Sequence, residues 1–396
     1  MRITANTSWI VRIRSFLAFA ALSWLMAACG TNGESVEQIP ADELVHLDGL
    51  NASSQIEPAD DISLIPTPRP RMLWVGELVL AAPFDAVPAI FASEDLFLDS
   101  DDGDLEWEDD EPVVGLEIFG DARAYPVSLL SLHEIVNDVV GGEPVAITWC
   151  PLCYSSLVFD RVVDQTLTFG VSGYLYYNNL VMYDHQTNTL WSQMLAQGMR
   201  GALRGRRLEL LPSELTTWGA WKERHPDTRV LSAKQLGRQA EDVIDPYGGY
   251  YTSGYAGVTG WKNPDVRLKA KDLVAGVVLG REVRAYPVAT IRETRMIQDE
   301  LGTTPLLLVY DERLGTVLVY RRDVGDRTLV FDTGSAGVTI RDLETGTAWD
   351  LRTGEGLEGP LAGSRLARIS APLVFWFAWS DIHPGTEIFQ ERAPTD

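Results

Sequence analysis

Along most of the chain the apolar positions come in short bursts. Pro144-Val145-Ala146-Ile147-Thr148-Trp149, Ser156-Leu157-Val158-Phe159 and Thr166-Leu167-Thr168-Phe169-Gly170-Val171 are β-branched or aromatic runs divided by polar breaks. That is the signature of short strands joined by turns. Between Pro126 and Gly141 the period changes: Leu129, Leu132, Val136 and Val139 fall on one face and predict a helix. A second helix is predicted from Ser213, ahead of Leu215, Trp218 and Trp221. The expected class is α+β, mainly antiparallel sheet with a few helices, rather than an alternating βαβ series.

The pattern also repeats. Val113-Val114-Gly115-Leu116-Glu117-Ile118, leading to Arg123-Ala124-Tyr125-Pro126-Val127, recurs as Val274-Ala275-Gly276-Val277-Val278-Leu279, leading to Arg284-Ala285-Tyr286-Pro287-Val288. Asp184, Thr187 and Trp191 recur as Asp342, Thr345 and Trp349. Trp218-Gly219-Ala220-Trp221 with His225-Pro226 recurs as Trp376-Phe377-Ala378-Trp379 with His383-Pro384. Self-similarity kept in order along a chain points to an internal duplication. The expected units are 78–232 and 262–391, joined by a Gly/Tyr-rich connector over 233–261.

The amino terminus reads differently. Arg2, Arg12 and Arg14 precede an apolar run from Phe16 to Ala28, broken only by Ser23, and no acid occurs before Glu34. A basic segment, a short apolar core and small residues make a secretory signal over 1–28. The run is too short for a permanent bilayer span. Met26-Ala27-Ala28-Cys29 resembles a bacterial lipobox, which implies cleavage before Cys29 and its lipidation, with the mature chain held extracytoplasmically at a membrane by acyl chains. Residues 29–77, closing on Pro66-Thr67-Pro68-Arg69-Pro70, read as a flexible tether.

Charge narrows the partners. With 56 acidic and 33 basic residues the net charge is -23. That excludes sequence-independent nucleic-acid binding, which needs clustered Lys and Arg against phosphates. No nucleotide cofactor is indicated. The acidic run from Asp99 to Glu111 lacks the spacing of a calcium loop and reads as a solvated loop.

Chemistry is sought where the two units differ. His225 and His383 share one place, as do Tyr125 and Tyr286, so both pairs are read as structural. His133-Glu134 and Asn137 are replaced by Thr294-Arg295 and Gln298; Cys150-Pro151-Leu152-Cys153 by Asp311-Glu312-Arg313-Leu314. Met182 and His185 become Ile340 and Leu343, and Gln193 becomes Leu351. Soft ligands and imidazoles are lost together. The Cys-x-x-Cys lacks the following helix and facing proline of a thioredoxin site, since Ser156-Leu157-Val158-Phe159 continues as a strand and no proline falls between Pro151 and Pro212. A Cys-Pro-x-Cys hairpin tip has the shape of a metal knuckle. His133 is the expected third ligand, with Met182 or His185 completing a site for Cu(I) or Zn. Glu134 is then the nearest candidate base. A dithiol/disulfide redox protein of the envelope, and a glycan- or protein-binding module with a structural disulfide, are the alternatives. Tyr174, Tyr177, Asn178, Asn137 and Gln193 are candidate pocket residues for an envelope protein or a small ligand.

Leu132-His133-Glu134-Ile135-Val136-Asn137-Asp138, Thr148-Trp149-Cys150-Pro151-Leu152-Cys153, Phe159-Asp160-Arg161, Phe169-Gly170-Val171-Ser172-Gly173 and Leu190-Trp191-Ser192-Gln193 together resemble the bacterial and archaeal envelope family known as domain of unknown function 3179. The resemblance implies no particular reaction. It does imply that the His-Glu-Ile-Val-Asn-Asp stretch and Cys-Pro-Leu-Cys belong to one site. Tyr154 stands where a small residue is common in that pattern.

Overall fold

The computed structural model describes residues 78–332 and 339–390. The signal, the tether and Cys29 therefore lie outside the described residues. Within them the chain is built from mostly antiparallel and mixed sheets with few, short helices.

The first half rests on three five-stranded sheets. One orders Pro112–Ile118 between Glu214–Thr217 and Asp121–Pro126, with Arg229–Leu231 and Phe97–Asp99 beyond. A second orders Leu210–Leu211, Ser155–Asp160, Glu143–Cys150, Ile135–Val140 and Ile90–Phe91. The third joins Leu78–Leu80, Phe169–Tyr176, Asn179–Asp184, Leu190–Ser192 and Gln197–Arg200. In the second half, Leu273–Leu279 pairs with Glu282–Pro287 in a four-stranded sheet, and Met296–Leu301, Thr304–Asp311 and Thr316–Arg321 form a three-stranded one. A further three strands run from Thr339–Arg341 to Glu355–Glu358.

Equivalent side chains make equivalent bonds in the two halves. Arg123 and Tyr125 converge on Asp138, as Arg284 and Tyr286 converge on Asp299. The Trp191 indole donates to Asp184 at 2.9 Å, and Trp349 to Asp342 at 2.9 Å. Arg161 spends its guanidinium on the carbonyls of Val145, Leu167 and Asp138; Arg322 spends its own on those of Leu306, Leu329 and Asp299. Gly115 and Gly276 lie under the Trp221 and Trp379 rings, so close that a Cβ would sit 2.3 and 2.1 Å from ring carbons. Only glycine lets those strands accept the tryptophan. His225 and His383 stack on the same two rings, with centroids at 4.0 and 4.2 Å, in keeping with their structural reading.

Both predicted helices are corrected. Helix Val127–His133 stops where Glu134 turns left-handed at φ 56°, and Ile135–Val140 is a strand. The β-branched residues after Glu134 outweigh the helical spacing of Val136 and Val139. Ser213 starts no helix: Glu214–Thr217 is a strand, and the helix is Trp218–Arg224, capped by Thr217. The acidic run is only partly solvated, because Glu111 caps the helix at Ser128 and Glu106 holds Ser232 and Ala233.

One large core cluster crosses between the halves. It includes Cys150 and Cys153 with Phe375, Trp376 and Trp379. The main-chain N–H of Phe375 donates to the Cys153 carbonyl at 2.9 Å.

Candidate functional site at two hairpin tips

Strands Glu143–Cys150 and Ser155–Asp160 pair until Cys150 faces Ser155. Pro151-Leu152-Cys153-Tyr154 is therefore the hairpin loop expected from the sequence. The Cys153 N–H donates to the Cys150 carbonyl at 3.2 Å and Tyr154 N–H to that of Pro151 at 3.3 Å. Tyr154 is left-handed at φ 54°, the place Gly315 takes at φ 63° in the second half. A non-glycine residue resists that conformation. Here the Tyr154 ring is fixed by Trp149, Tyr251 and Phe375, with centroids 5.1 to 5.3 Å away.

A second tip meets the first. Strands Phe169–Tyr176 and Asn179–Asp184 are joined by Tyr177 and Asn178, at φ 49° and 66°. Two central residues at positive φ make the type I′ turn favoured in tight hairpins. This turn aims the Asn178 carbonyl at the cysteines, which are free thiols. The Cys153 thiol donates to it at 3.3 Å and that of Cys150 at 3.7 Å. The Asn178 side chain ties down the connector, accepting from Thr259 N–H at 2.7 Å and donating to the Gly260 carbonyl at 2.9 Å.

The pair is buried, Cys150 being 2% exposed and Cys153 0%. Burial, then the neighbouring Cys150, pushes the Cys153 thiol well above its ordinary range, against a smaller opposing effect of the Asn179 amide. Beneath them Gln193 accepts from Ser155 and Asn179 and donates to Thr148 and the Ser155 carbonyl. All four of its hydrogen-bonding positions are used.

Glu134 and a tyrosine cluster flank the tip. The Glu134 carbonyl accepts from Trp149 N–H at 2.8 Å, beside Cys150. Its counterpart Arg295 reaches Glu312, which stands at Pro151's place, at 2.7 Å. Glu134 keeps some accessible surface, yet burial lifts its carboxyl to about 7. Tyr247 senses both groups: burial raises its pKa first, then Glu134 and Cys150. The Tyr250 hydroxyl donates to the Leu152 carbonyl at 2.8 Å. The Lys271 ammonium sits 3.5 Å from the Tyr250 ring centroid, and burial lowers its pKa to about 8.

Other expected members lie elsewhere. The His133 Nδ1 is bonded to the Pro88 carbonyl at 2.8 Å, on the side of Ile135–Val140 where Ile90–Phe91 pairs, away from the cysteine strand. Its Nε2 is buried without a partner, and burial lowers its pKa. Met182 is a core residue paired between Val171 and Trp191. His185 lies beyond the far end of Asn179–Asp184, about 20 Å along the strand from the tip, and bonds the Thr168 carbonyl. His185 is thus out of reach of the thiols, whereas Met182 shares their core cluster. Among the described residues no three His, Cys, Asp or Glu side chains are grouped to hold a metal ion.

Asn137 is corrected too. It donates to the Phe169 carbonyl at 2.8 Å and accepts from Phe169 N–H at 2.7 Å; Gln298 makes both bonds to Phe331, each at 2.8 Å. Their difference is one methylene, not a function. Tyr174, Tyr177 and Asn178 are 3%, 7% and 0% exposed, so they pack inward rather than form an open ligand surface. Sequence reasoning missed Tyr247, Tyr250 and Tyr251 of the connector over 233–261, and Lys271 of the second unit. The connector's density of tyrosines was the available signal.

A family model described as "Protein of unknown function (DUF3179)" matches residues 84–386. No curated protein and no solved structure matches.

Proposed function

The chain belongs to the DUF3179 family, and we propose that this member is a dithiol/disulfide exchange protein of the cell envelope. The observation that carries the reading is the meeting of two buried free thiols at one carbonyl, with Tyr247 placed to feel both Cys150 and the Glu134 carboxyl. Thiols this close outside the cytoplasm are under oxidising conditions. Lipidation at Cys29 would keep the protein in that compartment. We also infer that the halves descend from a duplication, of which only the first kept the thiols.

The exchange is written for the reduced form meeting a partner disulfide. The Cys150 thiol loses its proton, for which Glu134 is the candidate acceptor, and its sulfur attacks one partner sulfur. The partner S–S bond breaks, a mixed disulfide forms, and one partner thiolate leaves. Cys153 then attacks the Cys150 sulfur, closing the intramolecular disulfide and releasing the second partner thiolate. The two protons from Cys150 and Cys153 end on the two partner thiolates, and two electrons pass to the partner. A proton acceptor near ambient pH suits this step, because the thiolate is the nucleophile.

Cys153→Ser should trap the mixed disulfide at Cys150 when the protein is incubated with oxidised glutathione, read by intact mass. Failure of Cys150 to form any adduct would remove the proposal. A second reading is favoured by the convergence of both sulfurs on one point: a two-sulfur Cu(I) site, matching soft ligands. Stoichiometric metal in anaerobically purified protein, lost in Cys150→Ser, would carry it instead. Among the described residues no third His, Cys, Asp or Glu joins the thiols, so this second reading uses the two sulfurs alone.

A further inference from the structure

Among the described residues strand Met296–Leu301 stands at the end of its sheet, and its place in the first half shows what flanks its counterpart. There the matching strand Ile135–Val140 is flanked by Ile90–Phe91 in parallel, Ile90 opposite Val136 and Phe91 opposite Asn137. The Ala92 N–H donates to the Asn137 carbonyl at 2.8 Å. Counting from Gly115 and Gly276, the segment matching 84–99 is 245–260, the connector. That segment has gone elsewhere, onto the thiol hairpin and Asn178. Asn137 and Asp138 are buried, whereas Gln298 and Asp299 are only half-buried. They line a groove of 790 Å³ with Thr294, Met296, Ile388 and Phe389.

We propose that this groove takes an extended segment of another polypeptide as an added parallel strand. An open strand edge supplies main-chain hydrogen bonds, and side-chain pockets supply selectivity. The first half gives the chemistry of the occupant: one apolar residue turned inward at Ile90's place, with small residues such as Ala89 and Ala92 near it. It differs in one respect. Glu94, four residues after Ile90, is held by Arg123 and Arg229. In the second half Glu387 stands where Arg229 does and already holds Arg284, together with Asp299. A carboxylate at that point of the occupant would face Glu387, and Arg284, the arginine beside it, is already paired with Glu387 and Asp299. The groove therefore selects a segment that is uncharged there.

The probe is a peptide copying residues 86–93, Ala-Val-Pro-Ala-Ile-Phe-Ala-Ser, added to the full chain, with hydrogen exchange followed on residues 296–301. The Gln298 amide should slow by about tenfold at low millimolar peptide. The slowing should vanish when the peptide's isoleucine is replaced by aspartate, and weaken when the peptide is extended by Glu-Asp. No slowing with the neutral peptide overturns the proposal. So does protection already present without peptide, which would mean that the chain covers its own groove. Protection that grows with protein concentration alone would make the occupant a second copy and overturn it as well.

Discussion

The Cys153 thiol donates to the main-chain carbonyl of Asn178 at 3.3 Å, across the tips of two different hairpins. Asn178 does two jobs at once. Its carbonyl faces the thiols, and its side-chain amide holds Thr259 and Gly260 of the segment lying over them. The arrangement ties thiol burial to one turn residue.

Opening that clamp should expose the thiols. Gly257 packs against the Asn178 amide, and a Cβ there would lie 2.2 Å from Asn178 Cγ at a φ of +69°. Gly257→Ala should therefore displace the amide and speed reaction of Cys150 and Cys153 with a thiol reagent at least tenfold, while circular dichroism stays native. Unchanged reactivity would show that the clamp does not control access.

Glu134 sets a pH dependence with a definite sign. Its folded pKa, about 7, lies above the ordinary 4.5 because burial disfavours the charge. The folded state thus holds a proton that the unfolded chain has already lost. Its stabilising share is complete below about pH 4.5 and disappears as pH rises through about 7. Denaturant midpoints at pH 5 and 8 should show wild type losing stability relative to Glu134→Gln as pH rises. Parallel pH profiles would place the Glu134 carboxyl in water.

The amide clamps at Asn137 and Gln298 should behave alike. Asn137→Ala and Gln298→Ala each leave a main-chain N–H and a carbonyl without their partners, at a cost of roughly 2–3 kcal/mol by chemical denaturation. Neither substitution should move the redox potential of the thiols. A shift with Asn137→Ala alone would restore Asn137 to the site.

Local sequence pattern reached the hairpin tip, the strands beside it and the structural histidines, because those depend on neighbours close in sequence. It failed at Glu134. A helical spacing of apolar residues ran on through Val136 and Val139, and nothing in the spacing registers a left-handed residue that turns helix into strand. Comparing the two halves found the cysteines but overstated Asn137, since Gln298 differs in length and not in bonding. It could not find Tyr247 or Tyr250, because the matching segment of the first half, 84–99, lays Ile90–Phe91 against a different strand. His133 and His185 looked close to the cysteines in one dimension. His133 ends a helix and is bonded to Pro88, ahead of Ile90–Phe91, and about 20 Å of strand separates His185 from the tip.

The central claim, that Cys150 and Cys153 form an exchanging couple, is tested most directly by equilibrating the protein in glutathione buffers and quantifying the Cys150–Cys153 disulfide by mass spectrometry. A single two-electron transition with a midpoint between about -300 and -200 mV is predicted, since that range permits exchange with envelope thiols. A disulfide that resists reduction well below about -300 mV, or thiols that never pair at any potential reached, would contradict it.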